Sequence, residues 1–271
     1  MQNTYPYTKK ELVDAINHFM FYNKAGVRLW APYIRNDNFT QDDNVPRGLG
    51  KTYPAEIQRS IDYIYSNYPE LDEGSIRTKL IDGSLPDPTM NYKGIDCSGF
   101  VYIIYEELYR SLHSSRFSDC LYMPKSQVLN GAFNYVEWRQ KYELSNEEAN
   151  DLPEFVQVSW VVDKFGRHPI NLCNVATLTS DMTSVEVDLE NARIGDIIEM
   201  VSTDNGMAHI SIITDISVEH IEIVHSTRHD PGQAGGITTD ILPITGGIIG
   251  LDNMKIAHQI ISLRRLVGLN G

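Results

Sequence analysis

Residues 94–105 read GIDCSGFVYIIY, a cysteine placed at the head of an amphipathic run. From Ser98 onward, Phe100, Val101, Ile103, Ile104 and Leu108 recur at helical spacing, which turns Tyr105, Glu106, Glu107 and Arg110 toward solvent. Just upstream, DGSLPDPTMNYKG (82–94) holds two prolines among other turn formers and reads as a loop. Cys97 therefore stands at a helix N-terminus, where unpaired N–H groups and the helix dipole favour a thiolate. Cysteine is also among the most often buried residue types, and a lone one on a helix is more often core filler than nucleophile. Position alone leaves both readings open.

Downstream, the chain changes character. FVQVSWVV (155–162), SVEVDL (184–189), DIIEMV (196–201), HISIITDI (209–216), HIEIVHS (220–226) and KIAHQIISLRRL (255–266) are short, β-branched runs bounded by turn formers, the signature of strands. Upstream the signals are helical. Thr8 and Glu11 form a capping box ahead of Leu12, Val13, Ile16, Phe19 and Met20. Ile57, Ile61, Ile64 and Tyr65 repeat the helical period before Pro69, and Ser145 with Glu148 forms a second capping box ahead of Pro153. Helices followed by strands predict an α+β fold, with a central antiparallel sheet against which the helices pack.

The 271 residues carry a formal net charge of −13. That balance argues against a nucleic-acid partner, whose phosphates are bound by clustered Lys and Arg. It also offers no attraction to an anionic membrane or wall polymer. Cys97, Cys120 and Cys173 are too few and too scattered for a disulfide framework or a CxxC metal site. No window is apolar for long enough to span a bilayer. MQNTYPYTKKELVDA lacks a basic region followed by an apolar core, so no signal peptide is read and the expectation is a cytoplasmic chain or one exported by another route.

A nucleophilic cysteine needs a base, usually a histidine distant in sequence. Of eight histidines, His209 opens the strand HISIITDI, and His225 lies late in the next one. If those strands pair through a turn near residues 216–220, the two imidazoles meet. A Cys-His-His set is also a legitimate zinc donor set, although no fourth ligand or short paired spacing accompanies it. Asp96, preceding Cys97, is a natural helix cap.

Taken in order, these pieces resemble the NlpC/P60 family of papain-like cysteine peptidases. Asp96-Cys97-Ser98-Gly99-Phe100-Val101 resembles the family's nucleophile motif. ARIGDIIEM (192–200) is similar to its PGD strand, with Ile194 where proline is common, and Ala208-His209-Ile210-Ser211-Ile212 resembles the strand carrying the base. Val224-His225-Ser226, GGITTDIL (235–242) and SLRRL (262–266) resemble the strands that follow. The resemblance implies a catalytic domain over residues 81–271 with an insertion near 130–185; it does not reach residues 1–80, which read as a helical N-terminal region. It implies a Cys97-His209-His225 triad, with backbone N–H groups near Ser98 stabilising the oxyanion, and no metal or cofactor. The implied substrate is an amide bond in a peptidoglycan stem peptide, for example between D-glutamate and a diamino acid. The same set would also serve a deamidase, a transglutaminase-like enzyme or an acyltransferase, and a non-catalytic binding module would keep the scaffold.

Overall fold

A computed structural model of the chain describes residues 6–22, 28–31, 33, 48–49, 51–70, 92–130, 144–166, 168–203, 206–227, 235–251 and 258–269. The first capping box forms as expected. Thr8 accepts from the Glu11 N–H, the Glu11 carboxylate takes the Thr8 N–H at 2.7 Å, and helix α1 (Lys9–Asn17) follows. Strands β1 (Met20–Tyr22) and β2 (Arg28–Trp30) pair antiparallel. After β3 (Gly48–Leu49), helix α2 (Pro54–Asn67) opens with a proline at a position whose N–H has no intrahelical partner anyway. Ile57, Ile61 and Ile64 form its buried stripe. The loop read over 82–94 lies mostly outside the described residues, and its end forms β4 (Tyr92–Lys93), parallel to β3.

Helix α3 (Cys97–Leu112) begins where the sequence places it, with the Asp96 carboxylate accepting from the Gly99 N–H at 2.6 Å. Its burial is wider than the spacing predicts. Tyr105 and Glu106 were expected toward solvent, yet both are buried. The Tyr105 hydroxyl donates to the Gly195 carbonyl, and Glu106 accepts from the Tyr53 hydroxyl at 2.7 Å, the Tyr102 hydroxyl at 3.1 Å and Arg110 at 2.9 Å. Periodicity reports the apolar face of a helix, and here neighbours also cover the polar side.

The next segment comprises β5 (Tyr122–Pro124), α4 (Lys125–Asn130) and the Ser145-capped α5 (Asn146–Asp151). The run 155–162, expected as one strand, divides into β6 (Phe155–Gln157) and helix α6 (Val158–Phe165). A short continuous apolar run has no period that separates strand from helix. Val158 and Val161 face the core at helical spacing, and Gly166, at φ 62°, ends the turn. β5 and β6 pair antiparallel, and two short helices, α7 (Pro169–Leu172) and α8 (Val175–Leu178), pack on α3.

The remaining strands are β7 (Ser184–Glu186), β8 (Ile197–Ser202), β9 (Ala208–Ile216), β10 (His220–Thr227), β11 (Gly236–Thr245), β12 (Ile248–Ile249) and β13 (His258–Leu266). They form one curled antiparallel sheet in the order β12-β11-β10-β9-β8-β13-β7. One face, with Ile197, Ile210, Ile212, Val224, Ile237 and Leu266, shares a core with α1, α2 and α3. Residues of the opposite face, including Ile198, Met200, Ile213, Ile221, Ile223 and Leu242, make a second apolar cluster. The chain is thus α+β, and the described part of residues 1–80 belongs to the same core as the sheet. Among the described residues, no helix is long and apolar enough to cross a membrane.

The turn into β8 is held by charge and by a glycine. Asp196 is fully buried and takes Arg265 in a two-pronged pair, Nε to Oδ1 at 2.9 Å and the guanidinium NH2 to Oδ2 at 2.8 Å. The Arg193 N–H adds a third bond at 2.8 Å. Gly195 has φ 91°, and a Cβ there would stand 2.1 Å from the Tyr7 hydroxyl, so no other residue fits without displacing the core.

Candidate active site

The strands that carry the histidines part where α3 begins. Pairing between β9 and β10 runs from Ile216 opposite Ile221 to Ile212 opposite Val224. Beyond that point the start of α3 enters the opening. The Ser226 hydroxyl donates to the Ile95 carbonyl at 2.7 Å, and the backbone amides of Ile210 and Ser98 lie near enough to the Cys97 sulfur to lower its thiol. Cys97 therefore lies against the residue that follows His209 in sequence. It is 9 % exposed.

The expected meeting of the two imidazoles occurs. His209 Nε2 lies 2.5 Å from His225 Nδ1, and both side chains are buried. A further partner stands behind them, with His225 Nε2 at 2.9 Å from Asp240 Oδ2 on β11. β11 places Thr238 opposite His225, so Asp240, two residues on, shares its face of the sheet. The donor pattern of this chain follows from chemistry. An ionised carboxylate only accepts, so His225 donates from Nε2; a neutral His225 then accepts at Nδ1, so His209 donates from Nε2. The lone pair of His209 is left at Nδ1, the atom free to accept a proton.

Burial governs the charges. It holds the His209 imidazole well below the ordinary histidine range, with His225 and His258 adding to the effect. The His258 ring lies tilted at 5.1 Å from that of His209. Burial first, and then the Asp96 carboxylate, push the Cys97 thiol up to about 12 against the opposing Lys51 ammonium. The helix N-terminus alone led to the opposite expectation of a lowered thiol. Desolvation outweighs the dipole here, because each ion taken singly loses its water. Both shifts favour the uncharged forms, a neutral thiol and a neutral imidazole.

Two site residues were missed from sequence. Asp240 lies inside a stretch whose pattern was noticed only as a strand, and its charge within ITTDIL was the available signal. Lys51, in GKTYP, carried none. Its backbone bridges to Ile95, and its ammonium meets Ser98 Oγ at 2.7 Å, Asp96 Oδ1 at 3.3 Å and the Cys173 carbonyl. Of the other thiols, Cys120 donates to the Tyr109 hydroxyl at 3.2 Å, and Cys173 is wholly buried. The zinc alternative finds no support in the arrangement, since the facing nitrogens of His209 and His225 are spent on each other. Among the described residues, no three His, Cys, Asp or Glu side chains converge as a metal-holding group.

No family model, curated protein or solved structure matches the chain.

Proposed function

We propose that this protein is a cysteine hydrolase of the NlpC/P60 kind, with a papain-like pairing of nucleophile helix and sheet, which cleaves amide bonds in peptidoglycan stem peptides. One observation carries the reading: Cys97 enters the gap between β9 and β10 beside a buried His209–His225–Asp240 chain whose lone pair is left on His209. In this reading the sulfur bonds to the substrate carbonyl carbon as its proton passes to His209 Nδ1. The carbonyl electron pair moves onto oxygen beside the Ser98 N–H. Collapse of the tetrahedral species breaks the C–N bond, and His209 returns the proton to the departing amine. A water deprotonated by His209 then hydrolyses the thioester and frees Cys97. Throughout, His225 keeps the imidazole in its working tautomer, and Asp240 offsets the charge as His209 becomes imidazolium.

The net charge of −13 favours a second reading, in which the same residues act on an amide or thioester outside the anionic wall, as a deamidase, a transglutaminase-like enzyme or an acyltransferase. Wild type and Cys97→Ala incubated with peptidoglycan fragments and followed by mass spectrometry separate the two. Stem-peptide products from wild type alone are expected. Equal product profiles overturn the wall reading, and labelling of Cys97 by a thiol-directed activity probe without such products points to the second.

A further inference from the structure

The cap that starts α3 works against the residue that follows it. Asp96 satisfies the Gly99 N–H, and its carboxylate places a fixed negative charge one residue from the sulfur that must become a thiolate. Lys51 answers that charge. Its side chain is 6 % exposed and that of Asp96 13 %, so solvent screens the pair little. An ammonium has three donors and no acceptor, and Lys51 finds three acceptors in Asp96 Oδ1, Ser98 Oγ and the Cys173 carbonyl. The charge is thereby held in place without an unsatisfied donor. The backbone bridge between Lys51 and Ile95 anchors the same lysine to the residue that leads into the cap.

We propose that Lys51 is a positioning residue for the nucleophile: its ammonium cancels the Asp96 carboxylate and, through Ser98 and the Cys173 carbonyl, fixes the start of α3, so that Cys97 can give up its proton. The inference rests on the reading of Cys97 as a nucleophile and deepens it. The charged and titratable groups around Cys97 come from three sides. Asp96, on its own helix start, and Lys51, on the bridged segment, are the charges that act on Cys97, and the sheet brings the Ile210 amide, whose preceding residue His209 has His225 and His258 beside it and Asp240 behind. Burial and Asp96 both raise the Cys97 thiol, and Lys51 is the first opposing influence.

The test is the rate at which iodoacetamide alkylates Cys97 in the full chain at a fixed pH of about 8, below the midpoint of this thiol, read by peptide mapping to separate Cys120 and Cys173. There the thiolate fraction falls about tenfold for each unit by which the thiol is raised, and a charge at close range moves it by about one unit or more. Lys51→Met is expected to react at least about tenfold more slowly. Asp96→Asn keeps a good helix cap while removing the charge, and is expected to react faster than wild type. The double variant loses both charges and returns to within about threefold of wild type. A merely structural role would move all three rates in one direction.

Lys51→Met reacting as fast as wild type overturns the inference. So does a double variant as slow as the single one, and so does Asp96→Asn slower than wild type. Should Lys51→Met fail to fold, Asp96→Asn and the charge-free double variant still decide. The outcomes separate from those of the hydrolase reading. Absence of any Cys97-dependent amide turnover with the expected alkylation pattern sinks the hydrolase and leaves Lys51 in its role. Turnover with a flat alkylation pattern does the reverse.

Discussion

Replacing Asp240 by alanine removes the last acceptor of the histidine chain and leaves the His225 Nε2–H, now 2.9 Å from a carboxylate oxygen, without that partner. The loss has two parts. His225 no longer has a reason to keep its proton on Nε2, so His209 is no longer obliged to carry its lone pair on Nδ1. The imidazolium formed during attack also loses its counter-charge. A hydrogen bond to a charged group contributes roughly 1.5–3 kcal/mol, and about 1.4 kcal/mol is a factor of ten in rate. For the proposed hydrolase, the expected fall in kcat/KM on its amide substrate is therefore about ten- to a hundredfold. Asp240→Asn keeps a neutral acceptor, worth about half as much, and should lose only about three- to tenfold. Nitrogen-15 NMR of the imidazoles supplies an independent readout: wild type should show His209 and His225 protonated at Nε2, and Asp240→Ala a mixture of tautomers. An alanine variant that retains both the wild-type rate and the wild-type tautomers refutes the relay.

Two predictions concern stability and the groups that burial perturbs or pairs. The folded state holds His209 well below its ordinary value of about 6.5, so the unfolded chain binds more protons below that pH. Its contribution is present above about 6.5 and is lost as pH falls below it. The melting temperature should drop between about pH 7 and 5, and His209→Gln should flatten that slope; an equally steep slope in the variant would dismiss the assignment. At the turn into β8, Asp196→Ala removes the buried carboxylate that takes both prongs of Arg265 and should cost about 3–5 kcal/mol in urea unfolding. A loss below about 1 kcal/mol would mean that the pair is not the anchor described here.

Much of the fold was legible because it is written in short-range rules. The capping boxes at Thr8 and Ser145, the cap at Asp96 and the runs that became β8, β9 and β10 each follow from a few neighbouring residues. The proximity of His209 and His225 was legible for a related reason, since a tight turn at 217–219 pairs their strands. Where local signals are ambiguous, the reading failed: the apolar run at 155–162 divided between strand and helix, and Tyr105 and Glu106 proved to be covered.

Local pattern was sufficient for the α+β class, the start of the helix at Cys97 and the pairing of two histidines, because caps, periods and turns act over only a few residues. Asp240 and Lys51 reach the site through strand register and a distant bridge, and the thiol is raised through burial beneath the rest of the chain. These features depend on which remote segments exclude water from Cys97 and which charges they bring, and no window of neighbouring residues contains that information.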